Sequence, residues 1–144
     1  RLTVVTNSSD IARTLATVNG NRVYMAGGEL RSDSGAAFGN SAIDFITRFT
    51  VAHAVISAGA LDAGGVMDFD LEESEFARRV LACGERKVVV SDGSKFGRRG
   101  LVSVCRFDSV SELITDRDPP EDIADALEAA GTTLTVAGAS SQKS

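Results

Sequence analysis

The segment KVVVSDGSKFGRR, residues 87–99, joins a short apolar run to a polar turn rich in glycine and positive charge. Its consecutive valines predict a strand at residues 87–91, because β-branched residues suit a sheet that is buried on both faces. The following residues, 92–100, predict a loop, since glycine and serine interrupt regular structure. A buried strand that opens into a polar loop is typical of α/β proteins.

The rest of the chain repeats this plan of short strands alternating with helical patterns. Further strands are predicted at residues 2–6, 22–26, 51–58, 110–115 and 132–136. Helices are predicted to begin near Ser8, Ala42, Asp70 and Asp118, and glycine-rich loops are predicted at residues 35–39 and 59–65. This alternation predicts an α/β fold with a mainly parallel sheet flanked by helices on both faces.

Two predicted helices begin with capping boxes, in which a short polar side chain and an acid three residues later satisfy the first backbone N–H groups. One pairs Asp70 with Glu73, and the other pairs Asp118 with Glu121. Gly131 is predicted to end the last helix, because glycine tolerates the left-handed conformation found there.

Composition excludes several classes of function. The 144 residues are 43% hydrophobic, enough for the core of one domain, and carry a net charge of -5. Nucleic-acid-binding surfaces are usually basic, so DNA contact by these residues is not expected. Cys83 and Cys105 lack metal-site or disulfide-framework spacing, which favours a reducing cytoplasm. No apolar run is long enough to span a bilayer, and no membrane partner is expected.

The sequence also lacks the common nucleotide and hydrolase motifs. There is no G-x-x-x-x-G-K-S/T loop, no G-x-G-x-x-G turn and no G-x-S-x-G elbow. We therefore predict no cofactor and no catalytic residue. No acidic spacing resembles a calcium loop, so no metal is predicted. Asp62, Asp68 and Asp70 could accept hydrogen bonds from polyol hydroxyls or could simply form turns.

In parallel α/β sheets, ligands bind beyond the carboxyl ends of the strands. This rule selects polar or glycine-rich loops at Asn7-Ser8, Gly27-Gly28, residues 58–65, residues 92–98 and Asp116. The 92–98 loop offers backbone N–H groups, a hydroxyl and a lysine, which could cradle a phosphate or could form a solvated turn. Asn7-Ser8 could bind an anion at a helix N-terminus or could only cap that helix.

Five segments in the same order resemble the effector-sensing domains of DeoR-family bacterial repressors. They are VVTNS (residues 4–8), GGEL (27–30), DLEE (70–73), DGSKFGR (92–98) and LITD (113–116). The resemblance covers nearly the whole chain. It implies a fold similar to ribose-5-phosphate isomerase, glucosamine-6-phosphate deaminase and the CoA-transferases. Within the family, MDFD (67–70) and DPP (118–120) resemble the glycerol-3-phosphate regulon repressors.

The resemblance implies a sensor for a small phosphorylated metabolite, glycerol 3-phosphate or a sugar phosphate, rather than an enzyme. It implies that Lys95 holds the phosphate and that an acid at Glu73 faces the same cleft. The implied effector-binding residues are Thr6, Asn7, Ser8, Gly27, Gly28, Ala58, Gly59, Asp70, Glu73 and Lys95. A homo-oligomer is expected, with DNA contacted only through a helix-turn-helix outside this chain.

Two departures from the family pattern bear on these expectations. Gly59 stands where many relatives, and the isomerases, have an aspartate. This weakens the alternative that the chain is an isomerase or deaminase, with Glu73 as base and Lys95 as phosphate anchor. The chain also opens on a strand without the family's preceding strand and D-x-G-S/T-T loop, so we expect a fragment, with the sensor domain at 1–138 and a disordered tail at 139–144. A ligand-free oligomerisation module is the third alternative.

Overall fold

A computed structural model describes residues 1–138 of the chain. The expectation of a tail at residues 139–144 lies outside the described residues. The chain divides into two compact units, Arg1–Thr50 and a second unit that begins at Val51.

The first unit is a small parallel β-α-β arrangement followed by a helix. Its elements are β1 (Thr3–Thr6), α1 (Ser9–Ala16), β2 (Arg22–Met25) and α2 (Asn40–Ile46). β1 and β2 pair in parallel, as a strand-helix-strand sequence requires. The rings of Tyr24 on β2 and Phe45 on α2 each lie 5.3 Å from the ring of Phe49. This aromatic cluster packs the end of α2 near β2.

The second unit contains a larger sheet and two longer helices. Its elements are β3 (Val51–Ser57), β4 (Ala60–Asp62), β5 (Gly65–Asp68), α3 (Leu71–Cys83), β6 (Gly84–Val90), β7 (Val102–Cys105), β8 (Glu112–Thr115), α4 (Glu121–Ala130) and β9 (Thr133–Val136). β3, β6, β8 and β9 form a parallel four-stranded sheet in the order β3-β6-β8-β9. The predicted α/β fold with a parallel sheet flanked by helices is confirmed.

One apolar core joins this sheet to both helices. Val89 on β6 and Leu113 on β8 are fully buried and share a core cluster with Leu81 of α3 and Leu127 of α4. Burying each such side chain contributes roughly 1.5–3 kcal/mol, so this cluster is the main source of stability in the second unit. It also fixes the strands whose carboxyl ends carry the polar loops.

The predicted loop at residues 59–65 is wrong, because these residues enter a hairpin. β4 and β5 pair in an antiparallel way, and β5 pairs with β7 to complete a three-stranded sheet. β7 lies in a region for which no strand was predicted. Leu61 and Val66 are fully buried in this sheet. The hairpin forms because burial of these two side chains outweighs the weak strand propensity of the glycines around them.

The two predicted capping boxes have different outcomes. Asp70 is the N-cap of α3, and its carboxylate accepts the Glu73 N–H at 2.9 Å, as predicted. The box at Asp118 is wrong: α4 begins after Pro120, and no side chain caps it by a hydrogen bond. Pro120 is the N-cap and has no side-chain acceptor, so no side chain caps the first N–H groups of α4. Gly131 ends α4 in the left-handed conformation, with φ 76°, as predicted.

Substituting Gly65 tests the hairpin. Gly65 has φ +128°, and a Cβ there would lie 2.3 Å from the Cys105 carbonyl oxygen. We expect Gly65→Ala to lower the free energy of unfolding by about 2–4 kcal/mol, through backbone strain and displacement of β7. Gly64→Ala is the control, since a Cβ there would meet only the Asp62 carboxylate at 3.1 Å. Urea denaturation measures both, and equal stabilities would contradict this description of the hairpin.

Candidate functional site

The predicted site residues fall in both units. Thr6, Asn7, Ser8, Gly27 and Gly28 belong to the first unit. The second unit contains Ala58, Gly59, Asp70, Glu73 and Lys95.

In the first unit, the polar groups after β1 hold the local structure together. The Ser8 hydroxyl accepts the Ile11 N–H at 3.2 Å, so Ser8 is the N-cap of α1. The Asn7 amide donates to the Ala37 carbonyl at 2.8 Å, and the Ala37 N–H returns a bond to the Asn7 carbonyl at 3.1 Å. The Thr6 hydroxyl accepts the Ser8 N–H at 3.1 Å. The capping alternative is therefore confirmed for Ser8, and Asn7 anchors the loop that contains Ala37.

The Gly27-Gly28 turn lies close to the same loop. Gly28 has φ +127°, and a Cβ there would come within 4.0 Å of the Ala37 side chain. The Ala26 N–H donates to the Thr6 carbonyl at 2.8 Å, which joins the ends of β1 and β2. The first unit thus brings all five of its predicted residues to one end of its sheet. Their role in binding remains a prediction.

In the second unit, Gly59 packs against Asp68. The Gly59 N–H donates to the Met67 carbonyl at 3.1 Å, and a Cβ at Gly59 would lie 3.1 Å from the Asp68 carboxylate. An aspartate at position 59 would press one carboxylate against another. The chain therefore has an acid, Asp68, beside Gly59. Asp68 was one of three acids considered for hydroxyl binding, and its approach to Gly59 could not be read from spacing.

The loop after β6 folds as a tight turn, with a short 3-10 helix at Gly93–Lys95. The expectation that its backbone N–H groups cradle a phosphate is not supported, because these groups have internal partners. The N–H groups of Gly93 and Ser94 donate to the carboxylates of Asp116 and Asp92, at 2.7 and 2.8 Å. Further along, the N–H groups of Lys95, Phe96 and Gly97 donate to backbone carbonyls. The Ser94 hydroxyl also donates to Asp92.

The charged side chains of this turn remain able to meet an anion. Lys95 is partly buried, and its ammonium forms no hydrogen bond or ion pair with residues 1–138. Arg98 instead lies over the Phe69 ring, at 5.4 Å from its centre. An anion at this loop would therefore be recognised by charged side chains rather than by backbone N–H groups. Among the predicted site residues, Lys95 supplies that positive charge.

Backbone contacts join the turn and the residues after it to the β4–β5 hairpin. The Gly97 N–H donates to the Leu61 carbonyl of β4 at 2.7 Å, and the Leu101 N–H donates to the carbonyl of Asp68, the last residue of β5, at 2.8 Å. The α3 cap, Asp70, follows two residues after Asp68. The second unit thus gathers a cation-bearing turn and two carboxylates, a combination that suits a molecule with both a phosphate and hydroxyl groups.

Two other classes of site are not found among residues 1–138. No group of three or more His, Cys, Asp or Glu side chains there could hold a metal ion. Neither Cys83 nor Cys105 forms a disulfide bond, and burial raises the pKa of the Cys105 thiol to about 11. In the same part of the chain, no helix has the length and apolar character needed to cross a membrane.

These features describe an α/β domain with polar loops at the carboxyl ends of its parallel strands, and sequence comparison identifies its family. A family model described as the DeoR C terminal sensor domain matches residues 1–117. The chain belongs to this family, as its motifs predicted.

Its relatives are repressors. The chain is 32% identical over 127 residues to the glycerol-3-phosphate regulon repressor of Escherichia coli (strain K12), covering 88% of this chain and 50% of that protein. It is 32% identical over 135 residues to the Haemophilus influenzae protein of the same name, covering 93% and 52%. It is 27% identical over 134 residues to the HTH-type transcriptional repressor GlcR of Bacillus subtilis (strain 168), covering 93% and 52%.

The chain spans about half the length of the curated relatives it matches. These relatives are named as transcriptional repressors and not as enzymes, which supports the predicted non-enzymatic role over the isomerase or deaminase alternative.

Asp116 and Asp118 provide a matched pair of substitutions. Asp116→Ala would leave the Gly93 N–H without its acceptor, so we expect a loss of about 1–2 kcal/mol in the free energy of unfolding. Asp118→Ala should change it by less than about 0.5 kcal/mol, because Asp118 is exposed and caps no helix. Chemical denaturation measures both values. An Asp118 effect as large as that of Asp116 would restore the capping box and contradict the structure.

Asp92 gives the turn a dependence on pH. The hydrogen bonds from Ser94 hold the pKa of Asp92 below its ordinary value of 3.8. Because the folded-state pKa is lowered, its stabilisation is present above about pH 4 and is lost as the pH falls through the folded pKa. We expect the free energy of unfolding of Asp92→Asn to vary less with pH between 5 and 2 than that of the wild type, an interval set by this linkage. Parallel pH profiles would contradict the assignment.

Proposed function

We propose that this chain is the effector-sensing domain of a bacterial transcriptional repressor, and that it binds a small phosphate ester, glycerol 3-phosphate or a sugar phosphate. The observation that carries the proposal is Lys95. Its ammonium forms no hydrogen bond or ion pair within residues 1–138, and its turn bonds to the β4–β5 hairpin, which leads into the carboxylate-bearing β5–α3 junction. A phosphate would meet the ammonium, while sugar or glycerol hydroxyls would donate to the carboxylates.

The choice of ligand class draws support from the relatives. Two of them are named as glycerol-3-phosphate regulon repressors. Asp68 favours a polyol over a plain anion, since a carboxylate repels phosphate but accepts hydrogen bonds from hydroxyl groups. Ala58 and Gly59 would line the approach to Asp68 without adding bulk. In the first unit, the predicted effector-binding residues stay a proposal: Thr6, Asn7, Ser8, Gly27 and Gly28.

DNA binding would lie outside this chain. The Bacillus subtilis relative is named as HTH-type, and the matched proteins are about twice as long as this chain. Together with the net charge of -5, this supports a helix-turn-helix elsewhere in the whole protein as the DNA contact. We propose that the protein acts as a homo-oligomer in the cytoplasm. The effector would change operator affinity by binding one conformational state more tightly than another.

Ligand-induced stabilisation tests the proposal. We expect glycerol 3-phosphate, ribose 5-phosphate or glucosamine 6-phosphate to raise the melting temperature of the chain, because a ligand that binds only the folded state stabilises it. Lys95→Ala should abolish the rise, while Arg79→Ala, an exposed cation on α3, should leave it intact. Glycerol without phosphate should give no rise at the same concentrations.

The outcomes separate the possibilities. No response to any of the three esters would reject phosphate-ester sensing and favour a module without a ligand. A response that survives Lys95→Ala would remove Lys95 from the site. Turnover of ribose 5-phosphate or glucosamine 6-phosphate would support the alternative that the chain is an isomerase or deaminase, with Glu73 as the candidate base.

A further inference from the structure

The Arg117 side chain lies directly over Gly93. The positions of these two residues in the sequence do not indicate this contact. A Cβ built at Gly93 would overlap Arg117 Nε and would lie 2.6 Å from the Cγ and Cδ atoms of Arg117. The Arg117 side chain therefore occupies the space that any larger residue at position 93 would fill. Only a glycine lets this side chain rest on the turn.

The backbone on both sides of the contact is fixed. The Gly93 N–H donates to Asp116 at 2.7 Å, which joins the turn to the residue before Arg117. On the other side, the buried Thr115 hydroxyl donates to the Arg117 carbonyl at 2.6 Å. Arg117 is therefore presented from a braced strand end, although its side chain is exposed.

The Arg117 guanidinium is positively charged and is available to bind an anion. Its guanidinium forms no ion pair or hydrogen bond with residues 1–138. Lys95 and Arg117 both favour the ionised form of Asp92 and so lower its pKa, after the larger effect of the Ser94 hydrogen bonds. The two cations therefore act on the same small region of the turn, where the backbone N–H groups already have partners.

We propose that Arg117 is the second cation of the phosphate site and that Gly93 is the residue that admits it. The inference rests on the proposed function, because it assumes that a phosphate ester binds at Lys95. A phosphate monoester carries a charge of about -1.5 to -2 at pH 7, more than one lysine neutralises. The planar guanidinium can donate two parallel hydrogen bonds to phosphate oxygens, and the lysine adds a point charge.

Affinity measurements on two Arg117 variants and a control variant test the inference. Titration calorimetry would use whichever ester of glycerol 3-phosphate, ribose 5-phosphate and glucosamine 6-phosphate binds the wild type most tightly. We expect Arg117→Ala to raise Kd about 10-fold or more, as for loss of a charged hydrogen bond. Arg117→Lys should recover part of the affinity, and Arg79→Ala should leave Kd unchanged.

Gly93→Ala tests the mechanism independently of charge. Its side chain would displace Arg117, so we expect a rise in Kd similar to that of Arg117→Ala. In the double variant Gly93→Ala/Arg117→Ala, the second substitution should add less than about twofold, because both remove the same contact. Thermal melts check that each variant is folded, and if Gly93→Ala is not, the Arg117 variants decide the matter.

Each outcome bears on a distinct claim. If no ester binds the wild type, the proposed function fails and this inference fails with it. If an ester binds and Lys95→Ala abolishes binding, but Arg117→Ala keeps Kd within about twofold, the inference is overturned and the proposed function stands. Fully additive effects of Gly93→Ala and Arg117→Ala would overturn the role of Gly93.

Discussion

The hydrogen bond from the Gly93 N–H to the Asp116 carboxylate joins the ends of two adjacent strands, β6 and β8. It uses a backbone donor that a phosphate could otherwise have taken. At the same time it fixes the turn that presents Lys95 and places Arg117 against Gly93. This bond limits the chemistry available at this edge of the sheet. Because the backbone N–H groups of the turn already have acceptors, an anion there would be bound by charged side chains on a fixed backbone.

Much of the fold could be predicted because apolar patterning in long elements reflects burial directly. The valines of β6 and the apolar positions of α4 gave the correct type of element. The β4–β5 hairpin and β7 could not be predicted, because glycines interrupt the apolar pattern of the hairpin and, within residues 1–138, β7 pairs only with β5 of that hairpin. The cap at Asp118 failed for a local reason, since the N-cap of α4 is Pro120, two residues further on, which has no side-chain acceptor.

The loops that carry the candidate site could be predicted from the sequence, but the contacts within them could not. The motif DGSKFGR placed Lys95 in a loop after β6, where the structure has it. Spacing could not show that the turn's N–H groups would donate to carboxylates and carbonyls of the chain, nor that Gly93 and Arg117, distant in sequence, would touch. The same holds for Gly59 and Asp68. The sequence showed glycine instead of aspartate at position 59, but only the structure showed that the Asp68 carboxylate lies beside it.

Recognition of phosphate by side chains of the turn is most directly tested by a 15N–1H NMR titration of the chain with glycerol 3-phosphate. Saturable shifts should be largest at the amides of residues 93–97 and at the Nε–H of Arg117, and titration with glycerol should not reproduce them. If these signals do not shift and saturable shifts occur only elsewhere in the chain, binding at this turn is contradicted.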